Sequence, residues 1–472
     1  MSIFFFRATP MRETTMNHPP IRSVLDLYLR LMQGPLPSKQ RRHCCVFSFA
    51  VVIWLMIFQR LWDKGTLAEA VQQVIRGLPP ALNPKTCKRQ REHHTSSNTG
   101  GYNRARQRLP LEIVQTVSDQ MFENLMAPER RMNMFLLDGT TITMPCTRPL
   151  LEAYPPSRNQ NGESHWPVLR LLVAHELESG IALRPEWGPA GGEKPISEQQ
   201  LAETLIPRIP AGASIMGDQN FGVFSMAWAA QQSGHPVVLR VTPARARRVL
   251  GFEPHTGTDL GIEWKPSRTE RDTHPELPDH ASVKGRLIVQ KVYPSDGSTA
   301  FKIYLFTTLD VPAKEVLQNY GKRWNIETDL RTVKKTIHLE MLDCKTPQMI
   351  AKELMLAITA YNLVRAVINE SAQRTGMDPR RYSFSRVLDL VNTWIPLLAS
   401  IASDAEYAAE YERLIEYAGQ CKLYKRKKST AYPRAVWHRR RTFPPHKTES
   451  QQNDSPEKQK RSKSSTAKSM RH

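Results

Sequence analysis

The chain has 472 residues, 40% apolar and 24% charged, with a formal net charge of +21. The balance is that of a globular protein of two to four domains. Its six cysteines contain no C-x-x-C pair, which excludes the usual zinc and disulfide frameworks and fits a reducing compartment. The basic excess points to a polyanionic partner, most simply nucleic acid, although ribosomal and membrane-surface partners share that signal.

Residues 1–20 read as irregular. The apolar run Ile3–Phe6 is too short for a signal peptide, and Met11 and Met16 leave the start codon open. From 21 to 127 the pattern is helical. IRSVLDLYLRLM carries apolar residues at helical spacing. Cys44 to Phe58 is a strongly apolar run, shorter than the roughly 20 residues that span a bilayer, so it reads as a buried helix rather than a membrane anchor. T-L-A-E at Thr66 predicts a capping box with Glu69, and Pro79-Pro80 ends that helix. The following loop, KTCKRQREHHTSSNTGGYNRARQRLP, mixes Lys and Arg with hydroxyls and Gly. It suits backbone phosphates, or equally a solvated loop. Cys87 with His93 and His94 makes at most half a metal site. Leu111–Leu125 predicts a helix.

A second region begins near Met132. In MNMFLLDGTTITMP a short apolar run ends in Asp138 and Gly139, as expected of a buried strand that delivers an acid; D-G can also be only a turn. Two strands are expected in HWPVLRLLVAHELESGIALRPEW, then an amphipathic helix from Ser197. ASIMGDQNFG reads as another short strand ending in an acid, Asp218. FSMAWAAQQSG predicts a helix and PVVLRVT a strand. Glu186, Asp259 and Asp272 lack a preceding buried strand and are poorer candidates. Between 243 and 309 the composition shifts, and GRLIVQKVYPSDGSTAFKIYLFTTL predicts a β-hairpin around S-D-G. Trp264 reads as a packing residue, with stacking on an unpaired base as the alternative.

Tyr320, Arg323, Glu327, Arg331 and Lys334 follow in YGKRWNIETDLRTVK. On one continuous helix they share a stripe roughly 80° wide. One carboxylate ringed by cations suits a metal held by the acid and phosphates held by the cations. A surface helix with i,i+4 pairs such as Arg323–Glu327 is the alternative from this segment alone. AKELMLAITAYNLVRAVINE predicts an apolar helix behind it, with more helix to about Gly419. Residues 422–472 hold sixteen Lys or Arg against three Asp or Glu, a basic and mostly disordered tail.

The spacing Y-x2-R-x3-E-x6-K resembles the signature of the insertion-sequence-four family of bacterial DDE transposases. SSNTGGYNRARQRLP and the Y-P-R-x-V piece of the tail are similar to segments of that family too. The resemblance implies an α/β fold: a ribonuclease-H-like mixed sheet with a β-rich insertion, a helical N-terminal domain and a helical C-terminal region. It implies that Asp138, Asp218 and Glu327 converge as catalytic, metal-binding acids. Three carboxylates at one point stay ionised only with divalent cations, expected to be two Mg²⁺ with Mn²⁺ as substitute. Tyr320, Arg323, Arg331 and Lys334 would bind DNA, Arg331 from outside the four-residue signature.

The domains expected are 21–127 for DNA binding, 128–242 with 310–370 for the catalytic core, 243–309 as the β insertion, and 371–421 as the helical C-terminal region. The expected activity is cleavage of the ends of an insertion sequence and their joining to target DNA. Relatives pass through a hairpin at the element ends. Terminal inverted repeats and target DNA are the expected partners, with a dimer on DNA, no membrane, and a cytoplasmic, nucleoid-associated bacterial location. A metal nuclease without strand transfer would use the same residues. A catalytically inactive DNA-binding relic is the other alternative, and intact acids at all three positions argue against it.

Overall fold

The computed structural model describes residues 46–62, 65–77, 96–126 and 134–424, except 157, 160–161, 164–165, 294–298, 341 and 402. The readings made above for 1–45, for the basic loop through 95 with its Cys and His residues, for the S-D-G turn and for the tail beyond 424 lie outside the described residues.

Among the described residues four helices come first: α1 (Phe49–Leu61), α2 (Leu67–Arg76), α3 (Gly100–Arg108) and α4 (Leu111–Leu125). The Ser48 hydroxyl caps α1 at Val51 N–H, and the Thr66 hydroxyl caps α2 at Glu69 N–H. The apolar run predicted as a buried helix is α1, and Val51–Phe58 are all buried. Among the described residues no helix is long and apolar enough to cross a membrane.

Ten strands follow, with helices between them: β1 (Met134–Thr143), α5 (Arg148–Ala153), β2 (Arg158–Asn159), β3 (Gly162–Glu163), β4 (Val168–Glu176), β5 (Glu186–Pro189), α6 (Glu198–Leu205), β6 (Ser214–Gly217), α7 (Phe224–Gln232), β7 (Val237–Arg240), α8 (Pro243–Leu250), β8 (Asp259–Trp264), α9 (Arg268–Thr273), β9 (Val283–Val292) and β10 (Phe301–Thr307). Eight of them form one sheet in the order β5-β4-β1-β6-β7-β10-β9-β8. β6 lies parallel to both β1 and β7, and the other pairings are antiparallel. Three antiparallel strands followed by two parallel ones make the ribonuclease-H-like core. The strands of segment 243–309 form no separate sheet: β8, β9 and β10 extend the same one through the pairing of β10 with β7.

The described residues close with α10 (Ala313–Gly321), α11 (Trp324–Arg331), a π-helical turn (Thr332–Thr336), α12 (Pro347–Thr375), α13 (Phe384–Ser400) and α14 (Asp404–Gly419). Around the start of β1 both sheet faces are covered. Met134 and Leu136 join a core with α1, α4, α11 and α12, while Phe135 and Leu137 join a core with α6, α7 and α8. Burial on both faces is why β1 opens as a continuous apolar run instead of alternating. α12 crosses the first face as a 29-residue helix, buried over most of its length. Trp264 is 2% exposed and packs edge-on against Phe306, so its role is packing.

Three sequence expectations need correction. The stretch read as a basic loop through Pro110 closes in α3, whose Tyr102, Ala105 and Arg106 are buried. β1 does not end at Asp138 but runs on to Thr143. β6 pairs only with 134–136, whereas β4 pairs as far as Thr143, so beyond Leu136 one edge of β1 is open and burial falls off at Asp138. The segment from Tyr320 to Lys334 is not one helix either. Tyr320 lies in the last turn of α10, Arg323 is the junction residue before α11, and Lys334 lies in the π turn.

Candidate active site

Asp138 shares side-chain parity with Leu136, so it faces the layer that contains α11. Asp218 follows β6 directly, next to β1. The Gly139 N–H donates to Asp138 Oδ1 (2.9 Å), and the Asn220 N–H donates to Asp218 Oδ1 (2.8 Å), a local turn that fixes the second acid. Asp138 titrates at about 7, well above an ordinary aspartate. Burial is the main cause; the Gly139 bond and Arg323 act against it, and the charges of Asp218 and Glu198 add to it. Asp138 and Asp218 therefore share one electrostatic environment.

Glu327 does not meet them directly. It accepts from Arg323 Nη2 (2.9 Å), the i,i+4 pair allowed for above. Burial draws the Arg323 pKa down, but Glu327, Tyr320 and Asp218 outweigh it and hold it above the usual arginine value. This guanidinium thus lies within electrostatic reach of all three acids. Among the described residues no group of three His, Cys, Asp or Glu side chains stands close enough together to hold a metal ion.

The cations of the signature are dispersed. Lys334 Nζ donates to Thr140 Oγ1 (2.9 Å) and Thr141 O (3.3 Å), just beyond Asp138 on β1. Tyr320 is buried, and burial raises its hydroxyl above the usual range against the pull of Arg323 and Arg240. Arg331 is exposed. Of the acids judged poorer candidates, Glu186 pairs with Arg208 (2.6 Å) and Asp259 with Arg286 (3.2 Å).

Glu198, in the first turn of α6, escaped the sequence reading. Its carboxyl lies against the backbone of Gly139, where a Cβ would displace it. Asn220 Nδ2 donates to Glu198 Oε2 (2.6 Å), and Gln199 Nε2 donates to Asn220 O (2.7 Å). The start of α6 thus braces the loop after Asp218 against β1. In the sequence Glu198 carried only the ordinary signal of an acid in a helix's first turn. Asp329 was also missed. It sits at helical spacing with the apolar Ile326 and Val333, and an acid in that stripe was the available signal.

Residues 129–363 match the model of the family described as Transposase DDE domain. That span holds Asp138, Asp218 and the whole signature from Tyr320 to Lys334. The chain is also 24% identical over 354 residues to "Transposase InsG for insertion sequence element IS4" of Escherichia coli (strain K12), covering 72% of this chain and 76% of the relative.

Proposed function

This chain belongs to the insertion-sequence-four family of DDE transposases, and from that premise we propose that it cuts the ends of an insertion sequence and joins them to target DNA, with Asp138, Asp218 and Glu327 as the acids. The observation that carries the reading is the shared field of Asp138 and Asp218, borne by neighbouring parallel strands and neighboured by the Arg323–Glu327 pair.

DDE transposase domains use divalent metal ions. The donor set here is oxygen only, which suits Mg²⁺, with Mn²⁺ as substitute, over zinc. Burial, with the charges of Asp218 and Glu198 adding to it, pushes the Asp138 carboxyl up to about 7, and a divalent cation would offset both. Asp138 and Asp218 would hold it, and Glu327 would join them by releasing Arg323. An ion held there would supply charge neutralisation of the carboxylates and polarisation of the scissile phosphate. Release of Glu327 frees Arg323 for a phosphate, Lys334 and Arg331 hold others, and Tyr320 donates to one. The N-terminal helices read the terminal inverted repeats, and synapsis of two ends requires two chains on DNA, at the bacterial nucleoid.

The test is to incubate the full chain with a duplex carrying the element end, a target duplex and Mg²⁺. Cleavage to a 3′-hydroxyl followed by joined product is expected. Cutting without joining would leave a nuclease, and neither reaction in Mg²⁺ or Mn²⁺ would leave a DNA-binding relic.

Protons and metal should compete at Asp138. Because its folded pKa is raised to about 7, the Mg²⁺ concentration for half-maximal cleavage should climb as pH falls below that value, about tenfold per unit, and level off above it. A midpoint unchanged between pH 6 and pH 8 would remove Asp138 from the metal set. Gly139→Ala should push the Glu198 carboxyl off β1 and loosen the Asp218 loop. Cleavage should fall about 10–100-fold with end binding intact; wild-type cleavage would show that α6 yields without consequence.

A further inference from the structure

We propose that Asp329 is a positioning residue for this reaction, a buried anchor that sets the attitude of α11 and so aims Glu327. The proposal rests on reading Glu327 as the third acid.

α11 has eight residues, a break before it and a π turn after it. A helix that short has little persistence of its own. Its inward residues Ile326 and Leu330 give apolar contact, which is non-directional and leaves the helix free to roll. Residues 327 and 329 lie about 200° apart around the axis, so as Glu327 faces the site Asp329 points into the core, where it is fully buried.

There its carboxylate is held from three directions. Arg380 Nη1 donates to Oδ1 (2.8 Å) and Oδ2 (2.6 Å), Arg365 Nη2 donates to Oδ1 (2.5 Å), and Tyr361 Oη donates to Oδ1 (3.0 Å). The donors are themselves fixed. Arg380 Nε donates to Leu177 O (2.9 Å) and Nη2 to Glu176 O (2.9 Å), at the end of β4. Arg365 Nε donates to Tyr361 Oη (2.8 Å) within α12. His175 of β4 lies edge-on to the Tyr361 ring. Gly180, at φ +75°, leaves room for both guanidiniums, which a Cβ there would strike.

The reference frame of this cluster is what ties it to the chemistry. β4 pairs with β1 in a register that sets Val173 opposite Asp138, two residues from His175. The anchor thus locks the helix of the third acid to the strand pair that carries the first. Stability alone does not call for such a network, because apolar side chains of similar volume serve as well in a core; directional bonds add orientation.

Asp329→Asn in the full chain tests this, with cleavage of the element-end duplex titrated against Mg²⁺. The Mg²⁺ midpoint should rise at least about tenfold, as for outer partners of metal ligands, with duplex binding unchanged. Should Asp329→Asn fail to fold, Tyr361→Phe removes one donor without changing shape and should raise the midpoint about threefold, a fraction of that effect. A wild-type midpoint in the folded variant, with only the melting temperature lowered, overturns the proposal. Glu327→Gln runs alongside: if it keeps cleavage, the assignment of the third acid has failed, separately from the role of Asp329.

Discussion

Asp138→Asn, Asp218→Asn and Glu327→Gln should each lower Mg²⁺-dependent cleavage of an element-end duplex by at least about a thousandfold, the several kcal/mol attributed to metal-assisted charge stabilisation. Binding of the uncut duplex should persist, because phosphate contacts made by Arg and Lys do not need the acids. Cleavage and electrophoretic binding measured on one preparation separate the two effects. Glu327 is the discriminating case. Asp138 and Asp218 already share a field, whereas Glu327 is paired with Arg323. If Glu327→Gln cuts normally while both aspartate variants are dead, the third acid is another residue. Glu198, against Gly139 and bonded to Asn220, then stands next in line.

What the sequence could reveal followed from strong, local signals. Two apolar runs closing on Asp138 and Asp218 could be read because strands covered on both faces have no polar positions to blur them. The long apolar helix α12 and the buried α1 were legible for the same reason. The Arg323–Glu327 pair was visible from i,i+4 spacing. Registers and breaks were hidden. Thr140–Thr143 continue β1 because β4 reaches them while β6 does not, a tertiary fact with no local mark. The break at Lys322–Arg323 follows Gly321, the last residue of α10, a mark that the helical spacing on either side overrode, so periodicity overextended the helix. Glu198 and Asp329 act through partners dozens of residues away, and neither spacing nor composition could connect them.

The second large effect is expected at Glu353, where the N-terminal helices meet the catalytic half. Glu353 is buried on α12 and pairs with Arg60 of α1 and Arg106 of α3, and Cys344 Sγ donates to its Oε1 (2.9 Å). Burial, then the Glu353 charge, pushes the Cys344 thiol well above its usual range, so it stays a donor. Neighbouring Lys352 Nζ donates to Arg106 O and Gln107 O (3.0 Å each), satisfying carbonyls at the end of α3. Arg60 Nη1 also donates to His338 O (3.1 Å), just past the π turn that holds Lys334. Glu353→Ala would leave the buried Arg106 and the half-buried Arg60 without their counter-charge and should cost about 3–5 kcal/mol of stability, read as a lower melting temperature. Replacing Arg60, Arg106 and Glu353 together by apolar residues should recover most of that loss, since the penalty lies in the unpaired charge. If the single variant loses less than about 1 kcal/mol, water reaches the guanidiniums and the seam is no buried ion cluster. If the triple variant is stable yet cuts poorly, the contact from Arg60 to His338 is the link by which the N-terminal helices hold the signature segment in place.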